Sequence, residues 1–341
     1  MLPEVDLERC SIAIIGAGAA GLSTAAALAS RGVEGVLVLE AEDAPARHAS
    51  GLNAAILRTV IDEPAVAALA ERSCAFFASP PDGFCDGPLV RSVGLVLTAD
   101  TDQAAARLDA SVERSARAVQ RLSRDDLRAR VPHLATEART AWFAREDGVL
   151  DIAALTDGFE RQARAGGVRI RYGARVQELD LRGSTGAELR LASGARVRCE
   201  QLVLAAGGWA ASLGRQAGSS VRLEPRRRHL LVTAADRRVD RSWPVVWNAG
   251  DAFYARPESG GLLLCACDEA TVDADDCPVD PDVRERIAAV TARHLPAFED
   301  AAAAHLWCGM RTFADDHGFV LGPDPHVPAL FWVAGLGGHG M

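Results

Sequence analysis

The 341-residue sequence predicts an α/β protein with a parallel-sheet domain and a second, mostly antiparallel β-sheet domain flanked by helices. Three stretches predict it. The apolar run Ser11-Ile12-Ala13-Ile14-Ile15 enters Gly16-Ala17-Gly18-Ala19-Ala20-Gly21, an alanine-rich run follows to Ser30, and Val36-Leu37-Val38-Leu39 ends on Glu40. From Val168 the hydrophobic period becomes two as far as Glu200, and Leu202-Val203-Leu204-Ala205-Ala206-Gly207-Gly208 is a buried strand running into glycines.

The first stretch has a physical job at each position. A short apolar run bounded by glycine reads as a buried strand. Gly16 permits the tight strand-to-helix turn, Gly18 lets a pyrophosphate reach the backbone, and Gly21 lets the helix pack closely. The helix start offers N–H groups and a positive dipole end. Glu40 stands roughly twenty residues on, where an acid can accept ribose hydroxyls. A GxGxxG after a strand, before a helix and with that acid reads as a dinucleotide site of Rossmann type, NAD or FAD.

Composition removes other classes. All 37 basic residues are Arg, which excludes P-loop ATPases, protein kinases, pyridoxal-phosphate enzymes and Schiff-base aldolases, since each needs a lysine. A net charge of −9 gives no support for nucleic-acid binding, and Arg226-Arg227-Arg228 is too short to reverse that. No H-E-x-x-H motif or Cys/His ligand spacing occurs, so no metal is expected. The eight cysteines show no CxxC pair and read as reduced, mostly buried thiols of a cytoplasmic protein. No apolar run approaches a membrane span, and Glu4, Asp6 and Glu8 make the start unlike a signal or transit peptide.

The remaining elements follow in order. Residues 47–55 are small and polar, suiting a loop against something flat and bulky, or a helix capped by Ser50. Asp62-Glu63-Pro64 starts a helix to about Ala78, closed by Pro80-Pro81, and residues 93–97 are an apolar strand. Helical spacing covers residues 101–120, Ser123 opens a capping box, and residues 142–148 connect. Asp151 caps a helix that stops at Gly166-Gly167. The alternating strands of residues 168–200, with Gly-Ser-Thr-Gly and Ser-Gly turns, suggest an antiparallel meander. Residues 221–267 are strand-rich, residues 281–294 a helix, and residues 306–313 and 330–334 the last two strands.

Taken together, GAGAAG, Glu40, Arg47-His48-Ala49-Ser50-Gly51-Leu52-Asn53, LVLAAGG at 202–208 and LFWVAGLGGHG at 330–340 resemble the FAD-dependent D-amino acid oxidase and glycine/sarcosine oxidase superfamily. Residues 75–85, Phe253-Tyr254-Ala255-Arg256-Pro257 and Trp307-Cys308-Gly309-Met310-Arg311 resemble its bacterial D-arginine dehydrogenase branch. The resemblance implies a discontinuous FAD-binding domain (residues 1–85, 146–222 and 306–341) and a substrate domain (residues 86–145 and 223–305). It implies non-covalent FAD, with the pyrophosphate on Gly16, Gly18 and Gly21 and the ribose on Glu40. Ser50, Asn53 and Ala54 would line the isoalloxazine and Val176 the adenine. Ala20, Ala41, His48, Ala206, Gly207, Gly309, Gly335, Gly337, Gly338, His339 and Gly340 complete the cofactor set, with His48 a hydrogen-bonding loop residue rather than a covalent attachment point.

The reaction so implied takes a hydride from Cα of a small amino acid or amine, and a free α-carboxylate suits a fixed guanidinium fork. Arg228 and Arg311 match the branch's two carboxylate-binding arginines, and Tyr254 matches their hydroxyl partner. Departures accompany the matches. Leu95 stands where the branch has an acid for the substrate guanidinium, Ile56 where it has His, and Ile61 where it has a lid Tyr. Trp247 joins them, so the expected substrate is a D-amino acid with an apolar side chain, although Arg58 near the same wall could select an acidic or polar one. The sequence ends at Met341, where the branch begins a last helix, which raises the alternative of a shortened, weakly FAD-binding, non-catalytic member. A secondary amine or 2-hydroxy acid is the other alternative substrate. The electron acceptor is open, the absence of the lysine used for oxygen by sarcosine oxidases tipping the reading toward a dehydrogenase.

Overall fold

The computed structural model describes residues 7–135, 137–181 and 186–340. Its first sheet grows from β1 (Leu7–Ile15), which feeds helix α1 (Ala19–Ser30) and returns as β2 (Val36–Leu39), parallel to β1 through Ile14↔Val38 and Ile15↔Leu39. Four apolar residues in β2 are all buried, as a strand covered on both faces requires. On the other side of β1 lies Arg196–Leu204, parallel, with Ile15 opposite Leu204. That long strand serves two partners: its first half pairs antiparallel with Ala187–Leu191, and Leu202 to Leu204 pair parallel with Leu330–Ala334. Three distant chain segments therefore end side by side, at Gly16, Ala205 and Gly335.

The second sheet runs Ala303–Ala314, Leu223–Thr233, Gly261–Cys265, Phe253–Glu258, Val245–Asn248, Leu95–Ala99, Thr140–Ala144, Val119–Arg121. Every pairing in it is antiparallel except Val245–Asn248 with Leu95–Ala99. A small third sheet joins Ile56–Leu57, Gly148–Leu150 and Val90–Arg91. The parallel sheet with its flanking helices and the large antiparallel sheet together give the mixed α/β architecture read from the sequence.

Several local expectations are corrected. The strand placed at residues 93–97 is Leu95–Ala99, because Gly94 takes φ +82° against the Phe143 ring and breaks the extended run. The helix placed at 101–120 ends at Arg114, and Val119–Arg121 then pairs with Thr140–Ala144, part of the expected connector. Arg169–Arg171 leaves the meander and lies parallel to β2. Val320–Pro323 is a further strand, paired with Leu330–Ala334. Most of the Gly183-Ser184-Thr185-Gly186 turn, Glu4, Asp6 and Met341 lie outside the described residues.

Helix contacts hold the first sheet in place. α1 packs on Ile152–Ala165, and a Cβ on Gly166 would stand 2.5 Å from the Ala29 Cβ, so the helices meet where no side chain fits. The stop of Ile152–Ala165 at Gly166-Gly167, with Gly167 at φ +85°, follows the αL preference of glycine at a helix end. Among the described residues no helix is long and apolar enough to cross a membrane.

Candidate functional site

A cavity of about 1010 Å³ runs from the Gly16 turn to the large antiparallel sheet. At its first end Gly16 adopts φ +108°, and a Cβ there would lie 2.5 Å from the Ala205 carbonyl oxygen. Gly21 does not line the cavity; a Cβ on it would meet the Gly16 carbonyl at 1.8 Å, so its role is the close seating of α1 on the turn. Gly18, Ala19, Ala20 and Ser23 line the cavity, which brings the positive end of α1 to its wall. Glu40 is buried, and its carboxylate accepts from Ala17 N at 2.5 Å and Glu42 N at 2.9 Å. Ala41 and Val176 line this end too.

The loop of residues 46–55 crosses the middle as turns, not as the Ser50-capped helix. Ser50 instead caps α1 from outside: its Oγ accepts from Ala19 N at 3.0 Å, where Gly18 has no side chain to do so. The Asn53 amide donates to Ser50 O and accepts from Ala55 N at 2.5 Å. Buried Arg256 holds the loop from the large sheet, its Nε donating to Ala54 O at 2.7 Å and its other arm pairing with Glu258 at 2.6 Å. His48 is 3.1 Å from Glu42 and meets Trp209 edge-on at 4.6 Å between ring centroids. Ser50, Asn53, Ala54, Ala206 and Gly207 all line the cavity.

At the far end the large sheet turns Arg228, Tyr254 and Trp247 onto the cavity, and Arg311 joins them from the edge strand Ala303–Ala314. Tyr254 and Trp247 are opposite one another in the Phe253–Glu258/Val245–Asn248 pair and stack at 4.9 Å. Arg228 donates to Asp268 O at 2.9 Å and pairs with Glu269 at 2.5 Å. Arg311 donates only to carbonyls, Met310 O at 2.8 Å and Leu52 O at 3.1 Å, and forms no ion pair among the described residues. Burial first, and then the Arg228 charge, lower its affinity for a proton, against the opposing pull of Tyr254. A guanidinium has too high an intrinsic pKa to discharge, so Arg311 stays cationic without a counter-anion among the described residues. Burial pushes the Tyr254 phenol well up, aided by the neighbouring Cys265 and Cys267 thiols, which keeps it a neutral donor.

The last loop closes the cavity with Gly335, Gly337, Gly338, His339 and Gly340. Its His339 imidazolium is disfavoured first by desolvation and then by Arg58 and Arg228, bringing the pKa down to about 4. Ile56 and Ile61 also line this end. Leu95 does not. It is fully enclosed in a strand buried on both faces, packed with Val60, Leu97 and Val245 behind Trp247, so its expected place in the substrate pocket is withdrawn. Gly309 is not on the main cavity wall: it lies against Leu52 and lines, with Cys277 and Cys308, an adjoining cavity of about 340 Å³ that shares His48, Trp209 and Met310 with the main one.

Sequence reading missed the supports. His229 is fully buried; its Nε2 accepts from Asp280 N at 2.9 Å, so the Nδ1 proton points to Asp268 at 2.7 Å, fixing the segment whose carbonyl holds Arg228. A charged residue inside an apolar strand, as at Arg256, was the available signal. Away from the cavity, Asp100, Asp251 and His294 come within metal-ligand reach of one another. Asn248 donates to Asp100 at 2.8 Å, and Arg293 at 3.1 Å and His294 at 2.8 Å reach Asp251, which accounts for them as a hydrogen-bond network.

The glycine cradle, where a Cβ would strike backbone, and the dipole end of α1 fit an extended dinucleotide. A profile of the FAD dependent oxidoreductase (DAO) family matches residues 11–341. FAD-dependent oxidoreductase domain-containing protein 1 of Bos taurus is 24% identical over 98% of this chain and 78% of its own length. Glycine oxidase from Geobacillus kaustophilus superposes with a TM-score of 0.82 at 24% identity, covering 98% of this chain and 90% of that one. L-proline dehydrogenase from P. horikoshii superposes at 0.87 and 18% identity, covering 98% and 89%. At such identities the structural likeness speaks for the fold, while the profile spans nearly the whole chain: it belongs to the DAO family of FAD-dependent oxidoreductases, with FAD as its cofactor.

Proposed function

We propose that the protein oxidises the C–N bond of a D-amino acid at Cα, giving an imine that hydrolyses in water. The observation that carries this is Arg311, a buried guanidinium on the cavity wall satisfied by two carbonyls and, among the described residues, by no carboxylate. A buried charge without a partner is costly, and a substrate α-carboxylate removes that cost through bidentate hydrogen bonds. Arg228, already paired with Glu269, adds field and a second donor face, and neutral Tyr254 donates its hydroxyl proton. The same cations disfavour a positively charged substrate, so the bound amine sheds its proton without a dedicated base.

FAD, when bound, supplies the acceptor for the hydride leaving Cα. In this reading Gly16, Gly18 and Ala20 with the α1 N-terminus hold its pyrophosphate, Glu40 its ribose and Val176 its adenine. The loop of Ser50, Asn53 and Ala54, with Ala206, Gly207 and the 335–340 loop, seats its flavin ring non-covalently. Residues 1–85, 146–222 and 306–341 make up the cofactor domain, and residues 86–145 and 223–305 make up the substrate domain. The cofactor domain also lends Ile56, Ile61 and Arg311 to the substrate end, the last from a strand of the large antiparallel sheet. The D configuration rests on the likeness of residues 253–257 and 307–311 to the D-arginine dehydrogenase branch. Ile56, Ile61 and Trp247 favour a side chain with an apolar stem. The named substrate of one structural neighbour, L-proline, is a secondary amine and supports one second reading, in which a secondary amine takes the same carboxylate site.

Anaerobic mixing of the purified flavoprotein with D- and L-amino acids and secondary amines tests this through the flavin absorbance. Bleaching by D-amino acids is expected; bleaching by secondary amines alone selects the second reading, and a flavin that no amine or amino acid bleaches defeats both.

A further inference from the structure

We infer that the substrate end of the cavity holds a second anion site at Arg58, so that the substrate is an amino acid with a second carboxylate at the end of its side chain. This rests on the amino-acid reading above and goes one step past it.

The α-carboxylate site is complete with Arg311, Arg228 and Tyr254, yet the cavity carries another guanidinium. Arg58 lines it, half-buried, directly after Ile56-Leu57, and its carbon lies 4.4 Å from the Trp247 ring centroid. Trp247 stacks on Tyr254, so one continuous wall joins Arg58 to the α-carboxylate site. A guanidinium over an indole face is held in plane, its edge left for hydrogen bonds.

Arg58 has no ion pair among the described residues. Its hydrogen-bond partner is His339 Nε2 at 3.4 Å, an uncharged ring at neutral pH. The acids whose fields reach it are engaged elsewhere: Asp62 accepts from Ser111 at 2.5 Å, and Asp147 from Thr59 N at 3.0 Å and Oγ1 at 2.8 Å. With Glu269 pairing Arg228, Arg58 and Arg311 face the same cavity with no ion pair among the described residues. One carboxylate matches one of them. A dicarboxylic substrate matches both, its methylenes lying along Trp247 and Ile56.

The experiment compares isosteric pairs on the FAD-loaded protein: D-glutamate against D-glutamine and D-aspartate against D-asparagine, by kcat/KM. Binding of glutarate and of butyrate, neither oxidisable at an amine, is read from the flavin absorbance shift. The acid of each pair is expected to lead by roughly ten- to a hundred-fold, the worth of a charge-assisted contact. Arg58→Gln should erase most of that lead and the glutarate shift, and Arg58→Lys should keep part of both. Amides matching acids in the wild type, with no glutarate shift, overturn the inference while leaving the amino-acid reading intact. So does an Arg58→Gln variant that alters the flavin reduction potential but keeps the preference, since Arg58 would then serve the cofactor. If no amino acid bleaches the flavin, the amino-acid reading fails, and a glutarate shift abolished in Arg58→Gln still decides the subsite. Should Arg58→Gln not fold, the wild-type preference and Arg58→Lys carry the decision.

Discussion

The two ends of the cavity are built by different means. At the Gly16 end the contacts come from backbone and from absent side chains: a turn, a helix start, and an acid held by two amides. At the far end they come from charged and aromatic side chains on strands that meet only through sheet pairing. Arg228 reaches its place opposite Gly309, and Tyr254 opposite both Trp247 and Cys265. The first end is a local motif that tolerates little variation, because backbone clashes cannot be relaxed by rotamer changes. The second is a set of side-chain choices on a fixed frame, where charge and size can change without disturbing the frame.

Substitution at the first end should therefore cost the flavin itself, the largest effect foreseen. Gly21→Val places a Cβ 1.8 Å from the Gly16 carbonyl oxygen, inside any allowed contact, so α1 must lift off the turn. Purified Gly21→Val is expected to be flavin-free or insoluble. A variant with full flavin content would break the contrast between the two ends.

Arg311→Met supplies the opposite test. The site keeps its volume and loses the unpaired guanidinium, while Leu52 O and Met310 O face a thioether. Flavin content should remain close to the wild type, and kcat/KM for the best amino acid should fall by roughly 10² to 10³, the worth of a charge-assisted carboxylate contact in a dry site. Loss of flavin together with activity would mean that Arg311 belongs to the cofactor end. An unchanged kcat/KM would remove the observation on which the proposed function stands.

The same contrast explains what could be read in advance. Residues 10–40 are legible because strand, glycines, helix and acid follow each other at fixed spacing, and each residue type has one reason to be there. The large sheet was legible as alternating strands, but its pairing order depends on contacts between residues far apart in sequence. Nothing local told that Leu95 lies behind Trp247, or that residues 140–144 form a strand. Gly309 stands two residues before Arg311 in one strand and so on the same face, against Leu52 as the Arg311 guanidinium is, and still it lines the smaller cavity, because it has no side chain to reach past Leu52. Arg256, whose contact with Ala54 O ties the large sheet to the middle loop, looked like one more strand arginine.

Asp147 sharpens the comparison by a smaller, pH-dependent effect. Glu40 at the first end has backbone amides on both oxygens; the carboxylate of fully buried Asp147, next to the Gly148 that pairs with Leu57, accepts hydrogen bonds only from Thr59 among the described residues. Desolvation outweighs the Thr59 hydrogen bonds and raises its pKa from 3.8 to about 6. In that interval the folded protein binds more protons than the unfolded chain, so this group makes stability fall as pH rises from about 4 to 6. Two pKa units correspond to about 3 kcal/mol at the upper end, constant above it. Asp147→Asn keeps one acceptor for Thr59 N and offers a donor to Thr59 Oγ1, without a charge to bury. Denaturant unfolding at several pH values should show the variant gaining on the wild type between pH 4 and 6 and holding the gain beyond. A difference that is flat with pH would mean the Asp147 carboxylate is better solvated in the folded protein than its burial implies, and that the frame beneath Arg58 carries no stored electrostatic cost.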